Sequence, residues 1–141
     1  KRQVLSGGFT SITPFYLMRG SVPLAGMIRN GSSLMEKLTM ALLGPFIIKR
    51  HKFTPNFFLQ QAREIRKVVR MPLVYLGGVD SRQGIQEILD AGFDYIAMAR
   101  VLIHDPDFLI KLRSEKIEKT ECNRCNKCVV EMDRGGVKCV L

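Results

Sequence analysis

Four cysteines lie close together near the carboxyl end of the chain, and the first 121 residues contain none. They are Cys122, Cys125, Cys128 and Cys139, so their spacing is C-x2-C-x2-C-x10-C. Nothing in the sequence indicates secretion, and cytosolic thiols stay reduced, so a disulfide framework is disfavoured. Reduced thiolates this close together are expected to share a cation. The segment therefore predicts a metal site in a cytoplasmic protein.

The spacing of these cysteines favours an iron–sulfur cluster over zinc. Zinc commonly uses two separated C-x2-C pairs. Three cysteines at two-residue intervals instead match the run that holds three corners of a [4Fe–4S] cluster in bacterial ferredoxins. Cys139 would be the fourth ligand, and Gly135-Gly136 would let the segment fold back toward the other three. A zinc site and unmetallated thiols are the two alternatives.

A second group of candidate residues follows two apolar runs that are typical of buried strands. Gly77-Gly78 comes directly after Leu73–Leu76, and Ala99-Arg100 comes directly after Asp94–Met98. Ligands bind at the carboxyl ends of parallel strands in α/β proteins. Glycine exposes backbone N–H groups to an anion, and a guanidinium can bind phosphate through two hydrogen bonds. These junctions predict a phosphate site, with a tight turn and a surface arginine as the simpler alternative.

The elements that must position these residues alternate between strand and helix. Val4-Leu5 is expected to end a short strand that runs into a glycine turn, Ser6-Gly7-Gly8. The later elements are, in order, helix Pro55–Arg70, strand Leu73–Leu76, a helix capped by Asp80 or Ser81 and ended by Ala91-Gly92, strand Asp94–Met98, and a helix from Asp105-Pro106 to about Arg113. This alternation predicts parallel βαβ units with helices on both sheet faces.

The stretch from Phe9 to Lys52 is long for a connection and is expected to pass over a site. One helix is predicted near Ser33–Leu43. Ser33 would be its N-cap and Glu36 the capping-box partner, and Gly44-Pro45 would end it.

Composition bounds the class of protein. The 141 residues are enough for one core, and 46% hydrophobic with 25% charged residues is typical of a globular protein. No stretch approaches the ~20 apolar residues of a membrane span, so no membrane partner is expected. The net charge of +9 is spread along the chain and Trp is absent, which disfavours nucleic-acid binding.

The number of predicted strands limits the folds that this chain can form by itself. About three strands are visible, which is too few for a closed barrel and few for an open doubly wound sheet. The sequence also starts without Met. We interpret the chain as the later part of a larger α/β domain. Without the preceding strands, we expect exposed apolar strand edges and either association or partial disorder.

Four segments resemble Old Yellow Enzyme-like NADH:flavin oxidoreductases and occur in that family's order. They are VLSGG (Val4–Gly8), PLVYLGGVD (Pro72–Asp80), AGFDYIAMARVLIHDPD (Ala91–Asp107) and CNRCNKC (Cys122–Cys128). The match is looser over Phe9–Lys52. The resemblance implies the C-terminal portion of a (β/α)8 TIM barrel, about strands six to eight, in residues 1–118, followed by a cysteine-rich segment in 119–141.

The resemblance also implies a cofactor and site residues. Gly77, Gly78, Ala99 and Arg100 would hold the phosphate of FMN, although the family usually has Gly-Arg where this chain has Ala99-Arg100. Ser6, Gly7 and Gly8 would lie at the rim of the flavin site. In the branch that includes dienoyl-CoA reductases and trimethylamine dehydrogenase, a [4Fe–4S] cluster directly follows the barrel. That branch normally has a slightly longer last spacing than the ten residues found here.

The implied activity is oxidation of NAD(P)H through flavin, with hydride passed to a small-molecule acceptor such as an activated alkene or to another electron carrier. The implied partners are the remainder of the barrel, in the same or another chain, and a second copy of the protein in a homo-oligomer. The isolated chain is expected to be inactive, because the family's flavin-ring contacts and proton donor lie largely on strands that it lacks. Two alternatives stay open. One is a small metal-binding or assembly module on a βα scaffold, and the other is a different phosphate-binding barrel enzyme, such as an isomerase or synthase.

Overall fold

The structure, a computed structural model, describes residues 2–5 and 19–141. The chain forms two compact units. The sheet unit contains residues 2–5 and 53–122, and the helical unit contains residues 19–52 and 123–141. The predicted glycine turn at Ser6-Gly7-Gly8 lies outside the described residues. The predicted division of the chain at residue 118 stays a prediction.

The sheet unit contains three strands and four helices among the described residues. They are β1 (Gln3–Leu5), α3 (Leu59–Val68), β2 (Leu73–Leu76), α4 (Arg82–Asp90), β3 (Tyr95–Ala97), α5 (Arg100–His104) and α6 (Phe108–Arg113). The helical unit contains α1 (Leu24–Asn30), α2 (Leu34–Ile47), α7 (Lys127–Glu131) and a 3₁₀ turn, Met132–Arg134.

The three strands form a parallel sheet in the order β1-β2-β3, which confirms the predicted parallel βαβ arrangement. Leu73 and Tyr75 on the central strand are fully buried, and Val74 and Leu76 are half-buried. The main core joins residues of the strands, α3 and α4. Its members are Leu5, Phe58, Leu59, Ala62, Leu73, Tyr75, Val79, Ile88 and Phe93. Three parallel strands with covering helices are a small α/β domain, and membership of a TIM barrel stays a prediction.

Helix α4 begins where the sequence predicts. Ser81 is its N-cap, and the Ser81 Oγ accepts a hydrogen bond from the Gly84 N–H at 3.1 Å. The helix ends at Asp90 and is followed by Gly92, whose φ of +84° suits only glycine well. Both ends of α4 are therefore determined by residues next to the helix in the sequence, Ser81 and Gly92.

Helix α3 is shorter than the predicted Pro55–Arg70, and Phe58 occupies the position before its first residue. Asn56 has a φ of +47°, which an α-helix cannot contain. The Asn56 N–H donates to the Gly78 carbonyl, and the Phe58 N–H donates to the Tyr75 hydroxyl. The left-handed backbone at Asn56, held by these tertiary hydrogen bonds, therefore excludes the predicted first turn, and the helix starts at Leu59.

Helix α2 has the predicted N-cap but not the predicted end. The Ser33 Oγ accepts from the Glu36 N–H at 3.1 Å, while the Glu36 carboxylate accepts from both the N–H and the hydroxyl of Ser32. Those Ser32 hydrogen bonds hold the pKa of Glu36 below its usual value. The helix continues through Pro45 to Ile47, and the Ile48 N–H donates to the Gly44 carbonyl at 2.9 Å. Pro45 therefore costs the helix its own N–H hydrogen bond without ending it.

The prediction of one helix from Asp105 to about Arg113 was wrong in its start. A short helix, α5, comes first, and α6 begins at Phe108. The Asp105 carboxylate accepts from the Lys111 amine at 2.7 Å. This hydrogen bond lowers the pKa of Asp105.

Helix α2 presents a broad exposed apolar surface. Leu34 is 83% exposed and Phe46 is 85% exposed. Met35, Leu38, Leu42, Leu43 and Ile47 are exposed as well.

Within the described residues, no helix is long and apolar enough to cross a membrane.

Candidate functional site

The two predicted phosphate-binding junctions lie side by side at one end of the sheet. The ladder between β2 and β3 pairs Leu76 with Ala97. Gly77 follows the first of these residues and Met98 follows the second, so both strands end at the same level. The structure therefore brings Gly77-Gly78 and Ala99-Arg100 to the carboxyl ends of neighbouring parallel strands, where ligands bind in α/β proteins.

Glycine is required at both positions of the pair. Gly78 has a φ of +76°, and a Cβ there would lie 2.7 Å from the Phe57 ring and 3.2 Å from the Thr54 carbonyl oxygen. At Gly77 a Cβ would lie 2.9 Å from the Phe58 Cβ. The turn is therefore packed closely on the side of residues 54–58. This close packing is a sufficient reason for glycine at both positions. In addition, glycine has no side chain to cover its backbone N–H, so an anion can approach closely.

The Gly77–Gly78 turn is fixed from the core side by Tyr75. Its hydroxyl donates to the Gly77 carbonyl at 2.8 Å and accepts from the Phe58 N–H at 3.3 Å. The Tyr75 ring is fully buried and meets the Phe93 ring edge-on, with 5.5 Å between their centroids. The turn cannot shift without breaking these buried hydrogen bonds, which cost about 1–3 kcal/mol each to leave unmade.

Asn56 fixes the same turn from another direction and was missed by sequence reasoning. Its N–H donates to the Gly78 carbonyl at 3.2 Å. Its side-chain amide donates to the Gly84 carbonyl at 2.9 Å and to the Glu87 carboxylate at 3.1 Å. Asn56 is only 7% exposed and so ties the glycine turn to the first turn of α4. A Thr-Pro-Asn sequence, typical of turns, was the available signal.

The second junction leads directly into α5. Ala99 occupies the position before the helix, with φ −124° and ψ −77°, and Arg100 is the first helical residue. Val101 is buried against Phe108 and Leu112, which anchors α5 to the core. Arg100 is half-buried. A glycine turn and the start of a helix are both arrangements that can offer backbone N–H groups to an anion.

The four predicted metal ligands belong to different units. Cys122 is buried in the sheet unit, where its N–H donates to the Thr120 hydroxyl at 3.2 Å. Cys125, Cys128 and Cys139 are half-buried in the helical unit. None of the four forms a disulfide with another described residue.

Each C-x2-C interval contains one residue in the left-handed conformation. Arg124 and Asn126 both have a φ of +57°. The fully buried Asn126 amide donates to the Ser21 carbonyl at 2.8 Å, and the Ser21 N–H donates to the Arg124 carbonyl at 3.0 Å. Gly20 must be glycine, because a Cβ there would lie 2.4 Å from the Arg124 oxygen. Residues 20–21 therefore hold this cysteine turn in shape.

The arrangement of the cysteines does not by itself form a metal centre. Across residues 2–5 and 19–141, no three Cys, His, Asp or Glu side chains are placed to hold a metal ion together. Binding of a cluster by these cysteines stays a prediction.

Two relatives of this chain are named as oxidoreductases. The chain is 36% identical over 137 residues to a 4,4'-dithiodibutanoate disulfide reductase of Rhodococcus erythropolis, a match that covers 97% of this chain and 34% of that protein. It is 24% identical over 109 residues to an N,N-dimethylglycine/sarcosine dehydrogenase of Chromohalobacter salexigens, covering 77% of this chain and 15% of that protein.

A third relative belongs to another class of enzyme. The chain is 33% identical over 77 residues to a thiamine-phosphate synthase of Koribacter versatilis, covering 52% of this chain and 36% of that protein. No protein-family model and no solved structure matches the chain. The chain spans about a third of the length of the disulfide reductase. The names of the two oxidoreductases agree with the predicted class of enzyme, an oxidoreductase. These names do not specify FMN, NAD(P)H or an Old Yellow Enzyme-like branch, which stay predictions.

Proposed function

We propose that this chain provides the phosphate-binding end of an FMN-dependent oxidoreductase that uses NAD(P)H. The observation that carries this proposal is the alignment of Gly77-Gly78 and Ala99-Arg100 at the ends of adjacent parallel strands. The similarity to a disulfide reductase along 97% of the chain supports the class of reaction.

The roles of the chain's own residues follow from their chemistry. The N–H groups of Gly77 and Gly78 would donate to phosphate oxygens, and the Arg100 guanidinium would neutralise the phosphate charge. Tyr75 and Asn56 hold the glycine turn in the required conformation. When bound, FMN would supply the hydride-transfer chemistry, because no side chain at this end of the sheet can transfer hydride.

The remaining parts of the proposal extend beyond the described residues. The other barrel strands would complete the flavin pocket, in a cytoplasmic homo-oligomer. For the acceptor we propose a small molecule, either an activated alkene, which the family resemblance implies, or a disulfide, which the name of the Rhodococcus relative suggests.

The proposal predicts that binding depends on the phosphate of the flavin. We expect the purified protein to bind FMN at least tenfold more tightly than riboflavin, since riboflavin lacks the charged group that these donors recognise. Flavin fluorescence titrations measure both affinities, and inorganic phosphate should compete with FMN. Equal affinity for the two flavins would contradict a phosphate site.

A second candidate is a phosphate-handling synthase without flavin, which the similarity to thiamine-phosphate synthase favours. Such a synthase would also use Gly77, Gly78 and Arg100 to bind phosphate. This function does not explain the four cysteines. The titration separates these candidates, because a synthase of this kind would bind inorganic phosphate and show no preference for the isoalloxazine ring.

The cysteine prediction has its own measurement. If the four cysteines hold a [4Fe–4S] cluster, anaerobically purified protein should be brown and contain about four iron and four sulfide per chain. A C125S substitution should remove most of that iron, whereas a D133N substitution at an exposed position of the same unit should not. Zinc at one per chain, or no metal after anaerobic reconstitution, would exclude the cluster.

A further inference from the structure

We infer that the helical unit contains a second binding site, which takes a small carboxylate with an apolar chain. A cavity of about 790 Å³ lies within this unit. It is formed by α1, the segment before it, α7 and residues near the carboxyl end. This volume is within the ~300–1,000 Å³ range of small-molecule sites. None of its lining residues belongs to the sheet unit, so the inference does not depend on the proposed FMN site.

The lining of the cavity is mainly apolar. Val22, Pro23 and Leu24 lie along one part of it, with Val130 and Val140 completing the apolar surface. Val130 is only 5% exposed. At Gly26, a Cβ would lie 2.9 Å from a Val130 methyl group, so this glycine lets α1 approach Val130 closely. Such a lining favours a hydrocarbon chain and offers few partners to a small inorganic anion.

The charged residues of the lining favour an anion. They are Arg29, Lys127 and Glu131. Glu131 already faces two cations, Arg134 at 3.9 Å and Lys138 at 3.7 Å, and its side chain is only 13% exposed. Arg29 and Lys127 form no ion pair with any other residue that the structure describes, and both are exposed. The positive charge at the cavity is therefore available to a ligand.

An apolar cavity beside two available cations defines the ligand class. An arginine binds a carboxylate through two parallel hydrogen bonds, and a lysine adds a second positive charge. The hydrocarbon chain would occupy the apolar part beside Val130. A neutral alcohol of the same length would lose the charged contacts, and an amine would be repelled by them.

Octanoate is the probe for this site. Isothermal titration of the purified protein should show saturable octanoate binding at least tenfold tighter than that of 1-octanol, with octylamine weaker still. The double variant R29A/K127A should lose at least tenfold in octanoate affinity while its octanol affinity stays unchanged. The control R113A/K116A removes the same charge from exposed positions in the sheet unit and should bind octanoate normally.

The outcomes separate this site from the FMN site. If R29A/K127A fails to fold by circular dichroism, R29Q/K127Q replaces it, because glutamine keeps much of the side-chain length. Equal binding of octanoate and octanol, no saturable binding, or equal losses in the cavity and control variants would overturn the inference. FMN titrations of the same samples test the other proposal independently, since octanoate binding without FMN binding refutes only the proposed function.

Discussion

Replacing Arg100 by alanine is expected to weaken FMN binding by about 10- to 100-fold. Charge-assisted hydrogen bonds contribute about 1.5–3 kcal/mol, and ~1.4 kcal/mol corresponds to a factor of ten in affinity. Riboflavin affinity should hardly change, because riboflavin has no phosphate for Arg100 to contact. Fluorescence titration of the two flavins measures this difference directly.

Three controls make the Arg100 result specific. R113A removes an exposed arginine from α6, at the same cost in net charge, and should bind FMN normally. R100K keeps the charge but loses the planar guanidinium, so its affinity should fall between those of the parent protein and R100A. Thermal unfolding of all three variants shows whether the fold is intact. A loss in R100A no larger than that in R113A would remove Arg100 from the phosphate site.

Replacing Gly78 by alanine is expected to destabilise the sheet unit by about 2–4 kcal/mol and to abolish FMN binding. The φ of +76° is strained for alanine, and the new methyl group would lie 2.7 Å from the Phe57 ring and 3.2 Å from the Thr54 carbonyl oxygen. The ring can move, whereas the carbonyl belongs to the backbone and can move less. Urea denaturation measures the loss of stability.

Gly92 offers a matched control for the Gly78 variant. It lies in the same unit with a similar φ of +84°, and a Cβ there would meet only the Arg66 side chain at 3.4 Å. G92A should therefore cost only the conformational strain, about 1–2 kcal/mol, and should keep FMN binding. Equal destabilisation by G78A and G92A would show that close packing at the turn contributes nothing, and FMN binding by G78A would contradict its place in the site.

Much of the sheet unit was predictable because its signals are local. Strand β2 begins at Leu73 and ends at Leu76 as predicted, since Pro72 and the glycine pair bound four apolar residues. Ser81 was one of the two residues predicted to cap α4. Helix α7 was not predicted, because a helix of five residues is too short to show a period in the sequence.

The sequence by itself determined the chemistry available to this protein: a glycine pair and an arginine after consecutive strands, and four cysteines at ligand-like spacing. Only the tertiary structure decided which of these groups come together. The β2–β3 register aligns the two junctions. The Tyr75 hydroxyl, which holds Gly77, also accepts from the Phe58 N–H 17 positions away, and Asn56, whose N–H holds the Gly78 carbonyl, donates its side-chain amide to Gly84, 28 positions away. The cavity beside Arg29 and Lys127 likewise joins segments about 100 residues apart in the sequence. Periodicity and local propensity report on neighbours along the chain, whereas these contacts depend on packing between distant segments.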